Sequence, residues 1–270
     1  MKELAAMDCC VKYISFSRNF GKEAAMYAGL KYSKGDYVIV MDADLQHPPD
    51  LIPEMILEIE KGIDCCAARR VKRKGHEPVR NFFSKTFYKL SNRLTDVELV
   101  QGAVDYRIMT RQMVDAVLDL AEVQRFSKGI FSWVGFETKW IAYDNVDRTM
   151  GETKWSFWKL FKYGMSGITA FSVVPLRMVT ATGFLISSFT FIYIVITLIQ
   201  TLIYGIEVPG YVTTLSAVLF LGGIIEISIG ILGEYIGQIY MESKDRPIFI
   251  LKQSNINFTE DLAEKENFEK

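Results

Sequence analysis

From Val179 to Tyr204 the chain has no charged residue, and after the polar turn GIEVPG a second apolar run, Val212–Ile225, resumes past Glu226 as Ile227–Gly233. A helix that crosses a bilayer needs roughly 20 apolar residues, so the two runs read as a transmembrane hairpin, with two buried core helices as the plainer alternative. Residues 1–160 instead alternate charged and apolar blocks, the pattern of a water-soluble α/β domain. Orientation follows the basic residues: Lys159, Lys162 and Arg177 precede the first run, Lys244, Arg246 and Lys252 follow the second, and the turn holds only Glu207. Both ends are therefore expected on the cytoplasmic side of a cell membrane crossed twice. The opening MKELAAMD is charged and helix-like and does not read as a signal peptide.

An ionisable side chain inside a span is costly and seeks a partner or water. Glu226 is read as a helix–helix or oligomer contact, and the neighbouring LGG suits close helix packing in a homo-oligomer. A net charge of −1 gives no reason to expect a nucleic-acid partner. Four cysteines form two adjacent pairs, Cys9–Cys10 and Cys65–Cys66, without metal or redox spacing, and are expected to be reduced packing residues.

Along the soluble half, VKYISFS reads as a strand, GKEAAMYAGLKYSKG as a helix stopped by Gly35, and DYVIVMDAD as a parallel strand covered on both faces. Strand, helix, strand suggests a right-handed βαβ unit. PDLIPEMILEIEKG is the next helix and IDCCAARR a strand, followed by a solvated basic loop, Arg69–Lys74. RNFFSKTFYKLSNRLT and RQMVDAVLDLAE read as helices, AVDYRIMT and TKWIAYDNV as strands. Trp158, Phe161, Met165 and Ile168 recur on one helical face flanked by Lys159 and Lys162, as in a helix lying on a membrane surface. Beyond Leu251 a polar, mobile tail is expected.

The stretch VIVMDADLQHPPDLIP ends its apolar run at Asp42 and Asp44. Ligands of parallel sheets bind beyond the carboxyl ends of strands. Two carboxylates one residue apart can share a hard cation such as Mg²⁺ or Mn²⁺, which keeps positions open for phosphates. Pro48 and Pro49 remove backbone donors and force the chain out of the strand.

Together SRNFGKEAA, DADLQHPP, VDYRI, RFSKG, GETKWS and LGEYIGQIYMESKDRP resemble the membrane-anchored polyprenyl-phosphate glycosyltransferases of glycosyltransferase family 2, bactoprenol (undecaprenyl-phosphate) glucosyltransferases above all. The resemblance runs from about Val11 to Leu251. It implies an α/β fold: an incomplete GT-A (Rossmann-like) domain over residues 1–153, an amphipathic interfacial helix over 154–176, two transmembrane helices over 177–240 and a cytoplasmic tail over 241–270. It implies a nucleotide-sugar donor, a polyprenyl phosphate acceptor and Mg²⁺ or Mn²⁺. The expected reaction is inverting transfer of a hexose, read as glucose from UDP-glucose; another sugar (mannose or an aminoarabinose type) and an inactive remnant or non-catalytic membrane subunit are the alternatives. A processive polysaccharide synthase is weighed against it, but EVQRF has Glu122 and Phe126 where such enzymes carry Gln and Trp.

Position by position, the resemblance makes Asp42, Asp44 and Gln46 the metal and diphosphate residues and Asp105 the catalytic carboxylate beside the transferred sugar, the family's presumed base. Arg125 falls in the acceptor-side motif, Arg148 and Lys154 near the phosphates, and Arg18 and Asn19 on the donor side. The plain alternatives are a turn or helix cap for Asp105, pairing with Glu122 for Arg125, and solvated surface charges for Arg148 and Lys154. Family members usually begin with about sixty to seventy residues before the segment matching Val11, holding two strands that lie between the partners of VKYISFS and DYVIVM. Bare strand edges are expected here in their place, with weak or no activity for these residues alone.

Overall fold

The computed structural model of the chain describes residues 1–44, 46–70, 88–89, 91–95, 97–143, 167–204 and 210–256. Arg148, Lys154 and the expected interfacial helix up to residue 166 lie outside the described residues, as do residues 71–74 of the expected basic loop. The chain divides into two compact units: Met1–Tyr88 with Glu98–Lys154 and Asp245–Lys270, and Lys89–Val97 with Trp155–Lys244.

The first unit is built on a mixed sheet of β2 (Tyr37–Val40), β3 (Cys65–Arg70), β4 (Ala103–Thr110) and β5 (Thr138–Tyr143), in the order β2-β4-β3-β5. The strand β4 runs antiparallel to both β2 and β3, whereas β3 and β5 are parallel. Because successive strand residues point to opposite faces, Cys66, Ala68, Tyr106, Ile108, Ile141 and Tyr143 share one face and bury it with Met55 and Ile59. Those last two lie on α3 (Ile52–Glu60), which Pro53 starts in its first turn, where proline is tolerated. The other face takes α4 (Arg111–Asp119), which follows β4 without a loop. Thr110 makes that abrupt change: it ends β4, and its Oγ1 accepts a hydrogen bond from the Met113 N–H at 3.4 Å as the cap of α4. Gly102, at φ +81°, brings its backbone against Arg70, so that a Cβ there would lie 2.6 Å from the Arg70 carbonyl oxygen; only glycine closes this junction into β4.

Five expectations are corrected. β1 (Ile14–Phe16) and β2 do not form a βαβ unit: β1 pairs antiparallel with β6 (Leu251–Ser254) in a separate two-stranded sheet. The same pairing replaces the start of the expected mobile tail. The strand DYVIVM is not parallel and covered but, among the described residues, an edge strand with antiparallel β4 as its neighbour. Arg69 and Arg70 belong to β3 and not to a loop, and Cys9 and Cys10 are exposed, unlike the buried Cys65 and Cys66.

The second unit is dominated by α6 (Val174–Tyr204) and α7 (Tyr211–Ser243). The half-buried positions among the described residues of α7, Ile224, Ser228, Ile231, Tyr235, Gln238 and Met241, are spaced four, three, four, three and three residues apart, one stripe of the helix. Within that stripe the Tyr235 hydroxyl donates to the Ser172 carbonyl at 2.6 Å and Gln238 Nε2 to Thr169 Oγ1 at 2.6 Å. Around the rest of both helices large apolar groups such as Phe184, Phe189, Ile227 and Ile236 are exposed. Val174–Tyr193 and Phe220–Ser243 are long and apolar enough to cross a bilayer, which suggests membrane association. Glu226 is exposed on α7.

Candidate active site

The sheet's strand directions gather one set of ends. β2, β3 and β5 finish at the edge where antiparallel β4 begins, so Asp42, Arg70, Tyr143 and Asp105 come from four strands to one place. Register adds the detail. The β2–β4 ladder ends with Val40 opposite Arg107; two residues past that pair come Asp42, just beyond β2, and Asp105 on β4, whose carboxylates reach the same ammonium.

A lysine joins them. Lys22, the first residue of α2 (Lys22–Tyr32), places Nζ 2.9 Å from Asp42 Oδ1, 2.9 Å from Asp42 Oδ2 and 2.6 Å from Asp105 Oδ2. Burial alone pushes the Asp105 carboxyl up, but Lys22 and Lys128 outweigh it and hold the group below the usual carboxylate range. Burial likewise works against the Lys22 ammonium, and the two aspartates reverse that and raise it above an ordinary lysine. Asp105 is thus a firm carboxylate and a weak base.

The loop after Asp42 is folded on itself. The Asp42 N–H donates to His47 Nδ1 at 3.2 Å, so the ring proton of His47 sits on Nε2, and burial pulls the imidazole below its ordinary range. The ring is stacked on Tyr106, with centroids 5.0 Å apart. The Tyr106 hydroxyl donates to the Pro48 carbonyl at 3.0 Å, which fixes the proline turn. Asp44 Oδ1 accepts the Gln46 N–H at 3.1 Å. Gln46 is buried, and its Oε1 accepts from Arg70 Nη2 at 3.4 Å, while Arg70 Nε donates to the Tyr143 hydroxyl at 3.1 Å.

Of the residues expected in the site, Asp42, Asp44, Gln46 and Asp105 are brought together at these strand ends. Arg125 turns elsewhere: it donates to the carbonyls of Val117 and Leu120 at the end of α4 and lies over the Tyr27 ring, 4.6 Å from its centroid. Its role there is to cap a helix C-terminus. Arg18 lies over Phe20 at 4.7 Å, and Asn19 Oδ1 accepts the Gly21 N–H at 2.9 Å, shaping the turn into α2. Lys22, His47, Arg70 and Lys128 were not singled out by sequence. For Lys22 a signal was present: a cation in the first turn of a helix opposes the helix dipole, so a reason for it lies outside the helix.

The turn after Asp42 carries oxygen donors of the kind a hard divalent cation takes, with Lys22 holding both oxygens of Asp42 and Arg70 donating to Gln46 Oε1. Two carboxylates and an amide oxygen, from Asp42, Asp44 and Gln46, sit on one short turn, and Mg²⁺ and Mn²⁺ take oxygen ligands of this kind.

Fold and comparisons together describe a glycosyltransferase. Residues 1–118 match Glycosyl transferase family 2, and residues 174–239 match the GtrB C-terminal hairpin. CsbB of Bacillus subtilis (strain 168), provisionally named a glycosyltransferase, is 51% identical over 256 residues, 95% of this chain and 78% of that protein. An uncharacterized glycosyltransferase of Synechocystis sp. (strain ATCC 27184 / PCC 6803 / Kazusa) is 41% identical over 241 residues, 89% of this chain and 76% of its own length. The SfII prophage-derived bactoprenol glucosyl transferase of Shigella flexneri is 42% identical over 252 residues, 93% of this chain and 82% of that protein. The chain belongs to glycosyltransferase family 2.

Proposed function

We propose that this glycosyltransferase moves a hexose, glucose from UDP-glucose, onto a polyprenyl phosphate of the undecaprenyl kind with inversion at the anomeric carbon. The observation that carries the reading is Asp105, a carboxylate kept ionised by Lys22 and Lys128, facing Asp42 in a chain that also has two apolar helices. A lipid phosphate with a second pKa near ~6 is already an anion at neutral pH and needs little proton removal. A weakly basic Asp105 suits such an acceptor: it orients the sugar and steadies the positive charge that develops at carbon. Relatives named bactoprenol glucosyl transferases support the lipid and the sugar.

Asp42, Asp44 and Gln46 would hold Mg²⁺ or Mn²⁺. Bound there, the ion supplies charge neutralisation for a departing nucleoside diphosphate. Arg148 and Lys154 are assigned to the phosphates on the family resemblance. The Arg125 side chain contributes through the fold, by fixing the end of α4.

Both helices are read as spans of the cell membrane, with α/β unit and termini in the cytoplasm. The α/β unit takes in chain from both sides of the helix pair, and two crossings return a chain to the side it left. The basic residues Arg177, Lys244 and Arg246 lie on that same side. The decisive assay offers membranes carrying the chain UDP-[¹⁴C]glucose, undecaprenyl phosphate and Mn²⁺, then measures label in the organic phase. Label that Asp42→Ala and Asp105→Asn abolish is the expected result. Equal label with both variants, or label from GDP-mannose alone, overturns the reading.

A further inference from the structure

The end of the β2–β4 ladder brings the Asp42 and Asp105 carboxylates to within reach of one ammonium, and their mutual repulsion is one the strands cannot relieve. Neighbouring like charges are destabilising, and the Asp105 side chain is only 14% exposed, so water screens it little. Lys22 relieves it from outside the sheet, touching both oxygens of Asp42 and one of Asp105. The ammonium is delivered from a fixed point. Asn19 shapes the turn before α2, and the next residue, Glu23, accepts hydrogen bonds from both the backbone N–H and the hydroxyl of Ser127.

We propose that Lys22 is a resident cation of the site, which must release Asp42 before a divalent ion can take that carboxylate, so that this lysine sets how tightly the site holds metal. The inference rests on the reading of Asp42 and Asp44 as metal ligands. An ammonium at 2.9 Å from both oxygens of Asp42 occupies the face on which that carboxylate would chelate a metal, so a divalent ion must displace it to bind there, and one held on the outer lone pairs alone would sit beside a positive charge. The exchange is not charge-neutral: the monovalent ammonium moves off Asp42 but stays with Asp105, and the divalent ion that arrives adds two positive charges to the site. Asp105 therefore never loses its counter-ion, and it remains ionised whether or not metal is present. Mg²⁺ or Mn²⁺ alone binds weakly, because it must displace a tethered competitor. A nucleoside diphosphate helps, since the freed face of the ammonium then has a new anion to meet.

The test uses the full chain in detergent, with Mn²⁺ alone as the probe and free Mn²⁺ read by electron paramagnetic resonance. Lys22→Met is expected to bind Mn²⁺ about tenfold more tightly than the native chain, and Lys22→Arg to stay near native. A second measurement needs no variant. Reductive methylation of the native chain, mapped by mass spectrometry, is expected to modify Lys22 several-fold more when Mn²⁺ is present. That result decides the matter if Lys22→Met does not fold. Equal or weaker Mn²⁺ binding by Lys22→Met, or methylation of Lys22 that Mn²⁺ leaves unchanged, reduces the lysine to a structural ion pair and overturns the proposal alone. If the native chain and both variants all fail to take up Mn²⁺, the metal reading of Asp42 falls and takes the inference with it.

Discussion

The sheet unit hides its large apolar side chains, whereas the helix pair displays them. Met55, Tyr106, Ile108 and Met113 are buried to within 1% of completely; Phe184, Phe189, Leu202 and Ile227 are each more than 60% exposed. The two regions are built for different surroundings. Alternating strands turn one kind of residue inward and free the other kind for chemistry at their ends. Helices apolar all round have no such division and call for an apolar exterior.

The sharpest way to break this comparison is to ask whether the sheet is dry. Burial pushes the Cys66 thiol from 9.0 up to about 12, which makes its reactive thiolate about a thousandfold scarcer, while Cys9 and Cys10 are exposed. A thiol reagent at pH 8 should titrate two groups at once and two more only on unfolding. Four fast groups would mean that water reaches the interior of the sheet.

Next in size is the division of labour. Asp105→Asn is expected to lower transfer at least ~100-fold, by removing the charge that the proposed mechanism sets beside the reacting carbon, with the membrane fraction unchanged. Phe189→Ala in the helix pair should leave transfer as it is. Comparable losses from both would erase the functional boundary between the regions.

Stability separates them by a smaller margin. Met55→Ala opens a cavity in the packed face and should cost about 2–5 kcal/mol by chemical denaturation. Phe189→Ala, which removes an exposed ring, should stay within about 0.5 kcal/mol. The smallest expected effect is that of pH. His47 is held below its ordinary pKa, so the unfolded chain takes up a proton first. Its contribution is complete above about pH 6.5 and is lost as pH falls through the depressed folded value. A thermal melt series from pH 7.5 to 5 should show a gentle decline that His47→Gln flattens, with no matching decline in the helix pair.

What could be read in the sequence was local. The run from Val179 announced α6, the apolar strands announced β2 to β5, and the proline turn announced where Asp42 and Asp44 would leave the sheet. What could not be read was partnership across long separations. LKQS, at Leu251–Ser254, has too little apolar character to announce a strand; it becomes β6 because β1 offers backbone groups for pairing. The central place of β4, and with it the meeting of Asp42 and Asp105, depends on antiparallel pairing that no local pattern encodes. Lys22 belonged to a recognised stretch, yet its task appears only once two strands and a helix have met. Arg125 had a plausible charged partner nearby in sequence, while the fold gave it carbonyls at the end of α4.

The pairing of β1 with β6 also sets a schedule. The strand β1 finds its neighbour in chain made after both apolar helices. While the ribosome is still extending α6 and α7, Ile14–Phe16 waits without its ladder. Completion of the transferase half is therefore timed by synthesis of the other half, and a chain stalled before Leu251 carries finished helices beside an enzyme that has not yet closed.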